Sequence, residues 1–500
     1  MLFNSFSFIF LFLPMTIAVY YCCAKMRMQK CATTTLLMAS LVFYVYWDIK
    51  YLLLLLFSII FNYLLSRWIV AERSFKVLVL AVGVNLLLLM WFKYTVFFLE
   101  SINDFFCTSF FVPDIVLPLG ISFFTFTQIA YLVDCYRGET QGRSLLEYAL
   151  FVTVFPHLIA GPILHHKSII PQFSEANNLL YSYSNMTTGL CFFCIGLMKK
   201  VVIADTLGGW ARPIFENAAI VSFFEGWFGA ICYTFQLYYD FSAYSEMAVG
   251  LALMFNLKFP VNFDSPYHAL SVQEFWRRWH ITLSQFLKNY LYIPLGGNRC
   301  GASRMMMNIF LTMLLGGLWH GAGWNFLVWG ALHGVYLMVN HSWESLGIKI
   351  PVKFAWLITF LSVVVGWVIF RANNISDAIS ILQAMAGFNG IILPHSASDI
   401  PILGSLLGKF HFAELSLMPP NWKFSASILT LVYLLFATSR GSNVQQILGY
   451  SSGSETLGIK KQLLVDRYPR LCPVILGAGF FLVVKIIAEA PPSEFLYFNF

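Results

Sequence analysis

Residues Gly316–Gly334 read GGLWHGAGWNFLVWGALHG. Two histidines, His320 and His333, stand there among three tryptophans and six glycines, with the apolar stretches Met305–Leu318 and Trp324–Val339 overlapping the run. Ionisable groups inside a membrane protein are costly and usually face a cavity or a partner. Glycines let helices and ligands approach closely. A lone intramembrane histidine is commonly a satisfied core residue; two in Gly/Trp-rich sequence point to a site. An unbroken helix would hold them about 20 Å apart, too far to serve one reacting atom. Either the glycines break the helix or only one histidine acts. A metal is not expected, because no carboxylate or cysteine stands at ligand spacing and HExxH is absent.

The composition around this run agrees with a lipid setting. Of 500 residues, 59% are apolar and 11% charged, and the mean hydropathy is +0.71. A soluble chain of this length would carry about 125 charged residues; this one has 31 basic and 24 acidic. A soluble enzyme, a nucleic-acid-binding module and a disordered scaffold are excluded. The net charge of +7 is topological. Phe3–Cys23 is long enough to span and lacks a cleavage site. The basic loops Lys25–Lys30, Arg67–Lys76, Arg277–Arg304 and Lys460–Arg470 are then expected in the cytoplasm. Counting apolar stretches gives an all-α polytopic membrane protein with about 10–13 membrane segments, plus interfacial or re-entrant pieces. Leu145–Phe155 is too short to span. Ile220–Leu257 is too long for one upright span and is expected to bend or divide. We expect a single domain over residues 1–500, with its motif-bearing core at about 115–340 and C-terminal helices at about 354–500.

Polar residues concentrate in a second stretch, Ser271–Arg299, SVQEFWRRWHITLSQFLKNYLYIPLGGNR. Its apolar residues recur at helical spacing from Phe275 to Leu291, which predicts one amphipathic helix at the interface or lining a cavity. Its arginines then meet either a ligand or lipid headgroups. Leu295–Arg299 is a turn without the GK[ST] ending of a P-loop. Between Gln236 and Glu246, Tyr239 and Asp240 belong to either a polar network joining helices or a substrate passage. Phe155–Pro162 reads as a structural helix break. Cys191 and Cys194 form a CxxC in an apolar helix, better explained by packing than by redox or zinc chemistry.

Together with FWRRWHITLS and YIPLGGNR, the Gly316–Gly334 run resembles the membrane-bound O-acyltransferase family, closest to the bacterial branch that O-acetylates polysaccharides such as alginate and peptidoglycan. The ordered set also includes Met1–Ser5, Pro118–Phe126, Phe155–Pro162, Tyr238–Met247, Asn262–Tyr267 and Glu494–Phe500. Phe286 stands where relatives often have Trp, and Lys288-Asn289 where Arg-Asp is common. The resemblance implies a helical fold around a central cavity with a histidine at its floor. The family's invariant histidine falls on His320, a second on His280, and a later HG position on His333. It further implies acetyl-CoA or another acyl thioester as donor substrate, with no bound cofactor. The donor would enter from the cytoplasm near Arg277, Arg278 and Arg299. Asn298, Trp319, Asn325, Tyr239 and Asp240 are further candidates for donor or substrate binding. The implied partners are an extracytoplasmic SGNH-type acetyltransferase, a polysaccharide acceptor and membrane lipids, without nucleic acid. The implied location is the bacterial inner membrane. Acyl transfer needs a base and oxyanion donors, and histidine serves near neutral pH. The competing readings are a transporter or flippase of an acyl or glycan-lipid intermediate, and an acyltransferase that modifies lipid or protein directly.

Overall fold

The computed structural model describes all residues except 141, 395–410, 414–416, 419–420, 442, 451–470, 490–492 and 497–500. The basic loop Lys460–Arg470 and part of the Glu494–Phe500 motif lie outside the described residues. Among the described residues the architecture is helical apart from one small parallel pair of strands, Ile392–Pro394 and His411–Ala413. Among the described residues, four helical segments are long and apolar enough to cross a membrane: Ser7–Lys25, Lys50–Glu72, Phe75–Phe106 and Val352–Arg371. Tyr183–Met198, Phe223–Met254, Ala302–His320 and Trp324–Ser345 instead carry polar or glycine-rich faces that are buried in the interior.

Local chemistry sets the first turns. Lys50–Glu72 ends at Arg73, whose left-handed backbone (φ 49°) sends its N–H to Ile69 O, and Ser74 caps the next helix. The spans it joins are clasped by Asn62 and Asn85, with Asn85 Nδ2 donating to Asn62 Oδ1 at 2.6 Å. Such amide pairs hold helices where lipid gives no hydrophobic drive. Arg73 lies against Gly138 and Arg67 against Gly142. The Ile121–Tyr136 helix therefore ends on the same basic face as Arg67–Lys76.

Ile220–Leu257 does not divide. Phe223–Met254 is one helix of 32 residues, buried along most of its length. It packs on Tyr183–Met198, where a Cβ on Gly189 would come within 2.6 Å of Gly250 O. Protein rather than lipid surrounds it, so the bilayer thickness does not set its length. Two of its carboxylates, Asp240 and Glu246, are matched by lysines. Lys200 Nζ meets Asp240 Oδ1 at 2.7 Å and Asp205 Oδ1 at 2.8 Å, and Lys199 meets Glu246 at 2.6 Å. Leu496 N–H donates to the other oxygen of Asp240 at 2.9 Å, docking the described C-terminal residues there. The polar run is thus built into a network joining helices. Leu145–Thr153 is a short helix buried by protein from Tyr148 onward, as a non-spanning apolar piece must be.

The single amphipathic helix expected over Ser271–Arg299 is not formed. Two short helices, Val272–Arg278 and Ile281–Leu287, meet at His280, whose backbone is left-handed (φ 43°, ψ 54°). Apolar spacing continues across the break, but Asn262 imposes it from outside. Its carbonyl accepts Ile281 N–H at 2.9 Å, and its side chain holds the residues on either side of Ile281. A π-helical turn, Lys288–Tyr292, follows.

Candidate functional site

The glycines do break the helix. Ala302–His320 and Trp324–Ser345 are separate, joined through Gly321–Gly323, and fold back on each other. Gly317 and Gly330 meet at the crossing, where a Cβ on Gly330 would lie 2.6 Å from Met313 O and 3.0 Å from Gly317 Cα. His320 therefore sits at the tip of a hairpin. Its ring packs against Trp319, Trp329 and Phe370, at centroid distances of 5.0, 5.2 and 5.5 Å.

His280 comes to the same place, with its ring centroid 6.5 Å from that of His320. His280 Nδ1 donates to Asn262 Oδ1 at 3.1 Å, which in the neutral ring leaves Nε2 as the acceptor nitrogen. Thr282 donates to the same oxygen through N–H (3.2 Å) and Oγ1 (3.0 Å), and Ile163 N–H donates to Thr282 Oγ1 at 3.0 Å. Asn262 is thus the anchor of the His280 bend. Replacing it with leucine orphans buried donors, each worth about 1–3 kcal/mol. Asn262→Leu is expected to lower both thermal stability and transfer, with transfer falling at least about tenfold. Asn262→Asp, which keeps the acceptor, recovers more of each; equal behaviour of the two variants would rule this anchor out.

His333 lies one ring further away, 4.9 Å from Trp329. Its Nδ1 accepts from Trp276 Nε1 at 3.3 Å, and Nε2 has no hydrogen-bond partner among the described residues. Trp329 packs against both hairpin histidines, and His280 approaches His320 from the other segment.

Cavities approach this cluster from two sides. A large one, about 850 Å³, is lined by Arg277, Lys288, Tyr292, Asn298 and His341, with Trp276 and Ile281 beside the histidines. It lies toward the basic face, since Arg137 Nη2 reaches Asn289 O in the adjoining turn. A small one of about 70 Å³ is lined by His320, Trp319, Lys93, Ser122 and Trp47. Trp47 lies at the start of the Lys50–Glu72 span and Arg73 at its end, so this pocket belongs to the opposite face.

Of the remaining sequence candidates, Arg277 and Asn298 line the large cavity; Tyr292 donates its hydroxyl proton to Asn298 Oδ1. Arg278 instead pairs with Glu274 (2.8 Å) and Asp264 (3.5 Å), and Arg299 is exposed; neither lines that cavity. Trp319 stacks on Phe126 and lines the small pocket. Asn325 Nδ2 donates to Ala372 O at 3.1 Å, holding the end of the Val352–Arg371 helix. Asp240 is committed to Lys200, and Tyr239 lies under Lys199 at 5.9 Å.

Sequence reasoning missed Lys93, a buried lysine whose Nζ donates to Trp319 O (2.5 Å) and His320 O (3.3 Å). Its signal was a lysine inside an apolar span. It also missed a cluster on the basic face. There Asp134 Oδ2 accepts from His165, His166 and Tyr290 at 3.1, 3.0 and 2.6 Å. The donor atoms of Asp134, His165 and His166 lie within 4.8 Å of one another, close enough to hold a metal ion. Here they form a hydrogen-bonded brace under the Lys288–Tyr292 turn.

The profile of MBOAT, the membrane-bound O-acyltransferase family, matches residues 67–376. A peptidoglycan O-acetyltransferase of Helicobacter pylori is 40% identical, the match covering 100% of this chain and 98% of that protein. A probable alginate O-acetylase of Azotobacter vinelandii is 38% identical over 100% of both chains. A teichoic acid D-alanyltransferase of Streptococcus thermophilus is 27% identical over 45% of this chain and 57% of its own length.

Proposed function

Since the chain belongs to the membrane-bound O-acyltransferase family, we propose that it moves an acetyl group from a cytoplasmic thioester through the membrane for O-acetylation of an extracytoplasmic polysaccharide, with His320 as general base. It is a membrane acyltransferase, with relatives named for acetylating peptidoglycan and alginate. The observation that carries the finer reading is the placement of His320. It lines the small pocket on one face, and the cluster around it backs onto a large cavity on the basic face.

The large cavity has the size of a cofactor site, and Arg277 and Lys288 give it positive charge suited to the phosphates of CoA. The positive-inside rule places that face in the cytoplasm. An acceptor hydroxyl on the far side would give its proton to His320 as its oxygen attacks the thioester carbonyl. The tetrahedral oxyanion then collapses, the C–S bond breaks, and the imidazolium returns the proton to the departing thiolate. His280, held by Asn262, orients or assists. A soluble transferase of the SGNH type on the outer side would receive the group and deliver it to the polymer. The cell would then be bacterial and the membrane its inner one.

The test uses the purified chain in lipid nanodiscs with acetyl-labelled acetyl-CoA. The label is expected on a hydroxyl acceptor, or on the added SGNH-type partner, with one CoA thiol released per acetyl moved. Movement of label without thiol release would make the protein a transporter and overturn the proposal. Label ending on membrane lipid would overturn the polysaccharide assignment alone.

A further inference from the structure

Lys93 lies in an apolar helix and yet is 8% exposed, with no carboxylate in ion-pair range among the described residues. What surrounds its ammonium instead is the end of the Ala302–His320 helix. The last four carbonyls of a helix have no partner within it. Here three consecutive ones are taken by two adjacent side chains from elsewhere. Tyr94 Oη donates to Leu318 O at 2.8 Å, and Lys93 Nζ to Trp319 O at 2.5 Å and His320 O at 3.3 Å. A third contact, to Ser122 Oγ at 3.4 Å, ties in the Ile121–Tyr136 helix.

The local backbone explains why neighbours in sequence can do this together. Met90–Tyr94 is a π-helical turn inside the longer helix. The widened turn re-aims its side chains, and such turns recur at functional sites. A cation at a helix C-terminus also meets the negative end of the helix dipole. Lys93 further lines the small pocket into which His320 opens.

We propose that Lys93 is a positioning residue for acyl transfer: its ammonium, with Tyr94, caps the His320 helix from outside and fixes the imidazole at the pocket on the acceptor side. The inference rests on His320 being the base. A neutral replacement frees the two carbonyls nearest the imidazole and lets the tip of the hairpin shift. A displacement of about 1 Å in reacting geometry costs about a hundredfold in rate. The donor cavity is on the other face and shares no lining residue with this pocket, so donor binding is left in place.

The experiment measures kcat and the KM for acetyl-CoA in nanodiscs for the parent, Lys93→Met, Lys93→Arg, Tyr94→Phe and His320→Ala. Lys93→Met is expected to lose about a hundredfold in kcat with KM within about threefold. Lys93→Arg, which keeps charge and donors, is expected to recover at least about tenfold over Lys93→Met, and Tyr94→Phe to lose less than Lys93→Met. A space-filling role would reverse the order, since methionine suits an apolar site better than arginine does. The proposal is overturned if Lys93→Met equals or exceeds Lys93→Arg, keeps kcat within threefold of the parent, or loses activity only through KM. Retained transfer in His320→Ala would sink the base assignment instead. Loss in His320→Ala with none in Lys93→Met would sink only the role given to Lys93.

Discussion

His320→Ala is expected to lower acyl transfer by about 10²–10⁴-fold, the usual range for a lost general base, while the protein remains folded. The residue is 5% exposed and packs edge-on against Trp329 and Phe370. Truncation therefore leaves a small cavity. His320→Gln, closer in shape, separates that packing loss from the loss of the base and is expected to be nearly as inactive. His280→Ala should cost less, about 10–100-fold, because the proposed role of His280 is to orient or assist. Initial rates of CoA release with purified protein are the measurement. A His320→Ala variant keeping a tenth or more of the parent rate, at equal thermal stability, would remove His320 from the mechanism.

The second large effect is expected from one methyl group. In Gly330→Ala the new Cβ lies 2.6 Å from Met313 O and 3.0 Å from Gly317 Cα. Every close neighbour is backbone, so no side chain can swing aside. The hairpin must separate, at an overpacking cost of about 1–3 kcal/mol or more. Gly83 is the control, because a Cβ there meets nothing within 4 Å. Gly83→Ala is expected to be neutral or slightly stabilising. Thermal unfolding in nanodiscs compares the two. Because the same hairpin carries His320 at its tip, Gly330→Ala should also lose transfer in the fraction that stays folded. Matching melting temperatures for the two variants would contradict the close crossing.

The membrane setting was legible from composition alone, and the site from the few polar residues placed where lipid should be. His320 stood out in that way, whereas His280 was pointed to only by the family motif on RWH. The bend at His280 was not legible. Phe275, Trp279, Leu283 and Phe286 keep helical spacing straight across it, while its cause is Asn262, a residue from another segment. Local periodicity carries no information about such a partner. The pairing of Asp240 with Lys200 was hidden for the same reason. Lys93 was legible in principle, as a charge inside Val77–Leu99, yet what it touches depends on a helix more than two hundred positions away.

That distance has a consequence for how the protein is made. Lys93 and the carbonyls it meets are 226 and 227 residues apart in the chain. At a synthesis rate of about 5–20 residues per second, the ammonium waits roughly ten to forty-five seconds for the helix it will close. A lysine mid-span costs about 2.5–3.5 kcal/mol on insertion, and each leucine, isoleucine or valine returns only about 0.3–0.6 kcal/mol. The apolar run from Val77 to Leu89, interrupted only by Gly83 and Asn85, therefore offsets that cost and carries the charge into the bilayer before its partners exist. The cap proposed for the His320 helix would then close only after both segments have entered the bilayer.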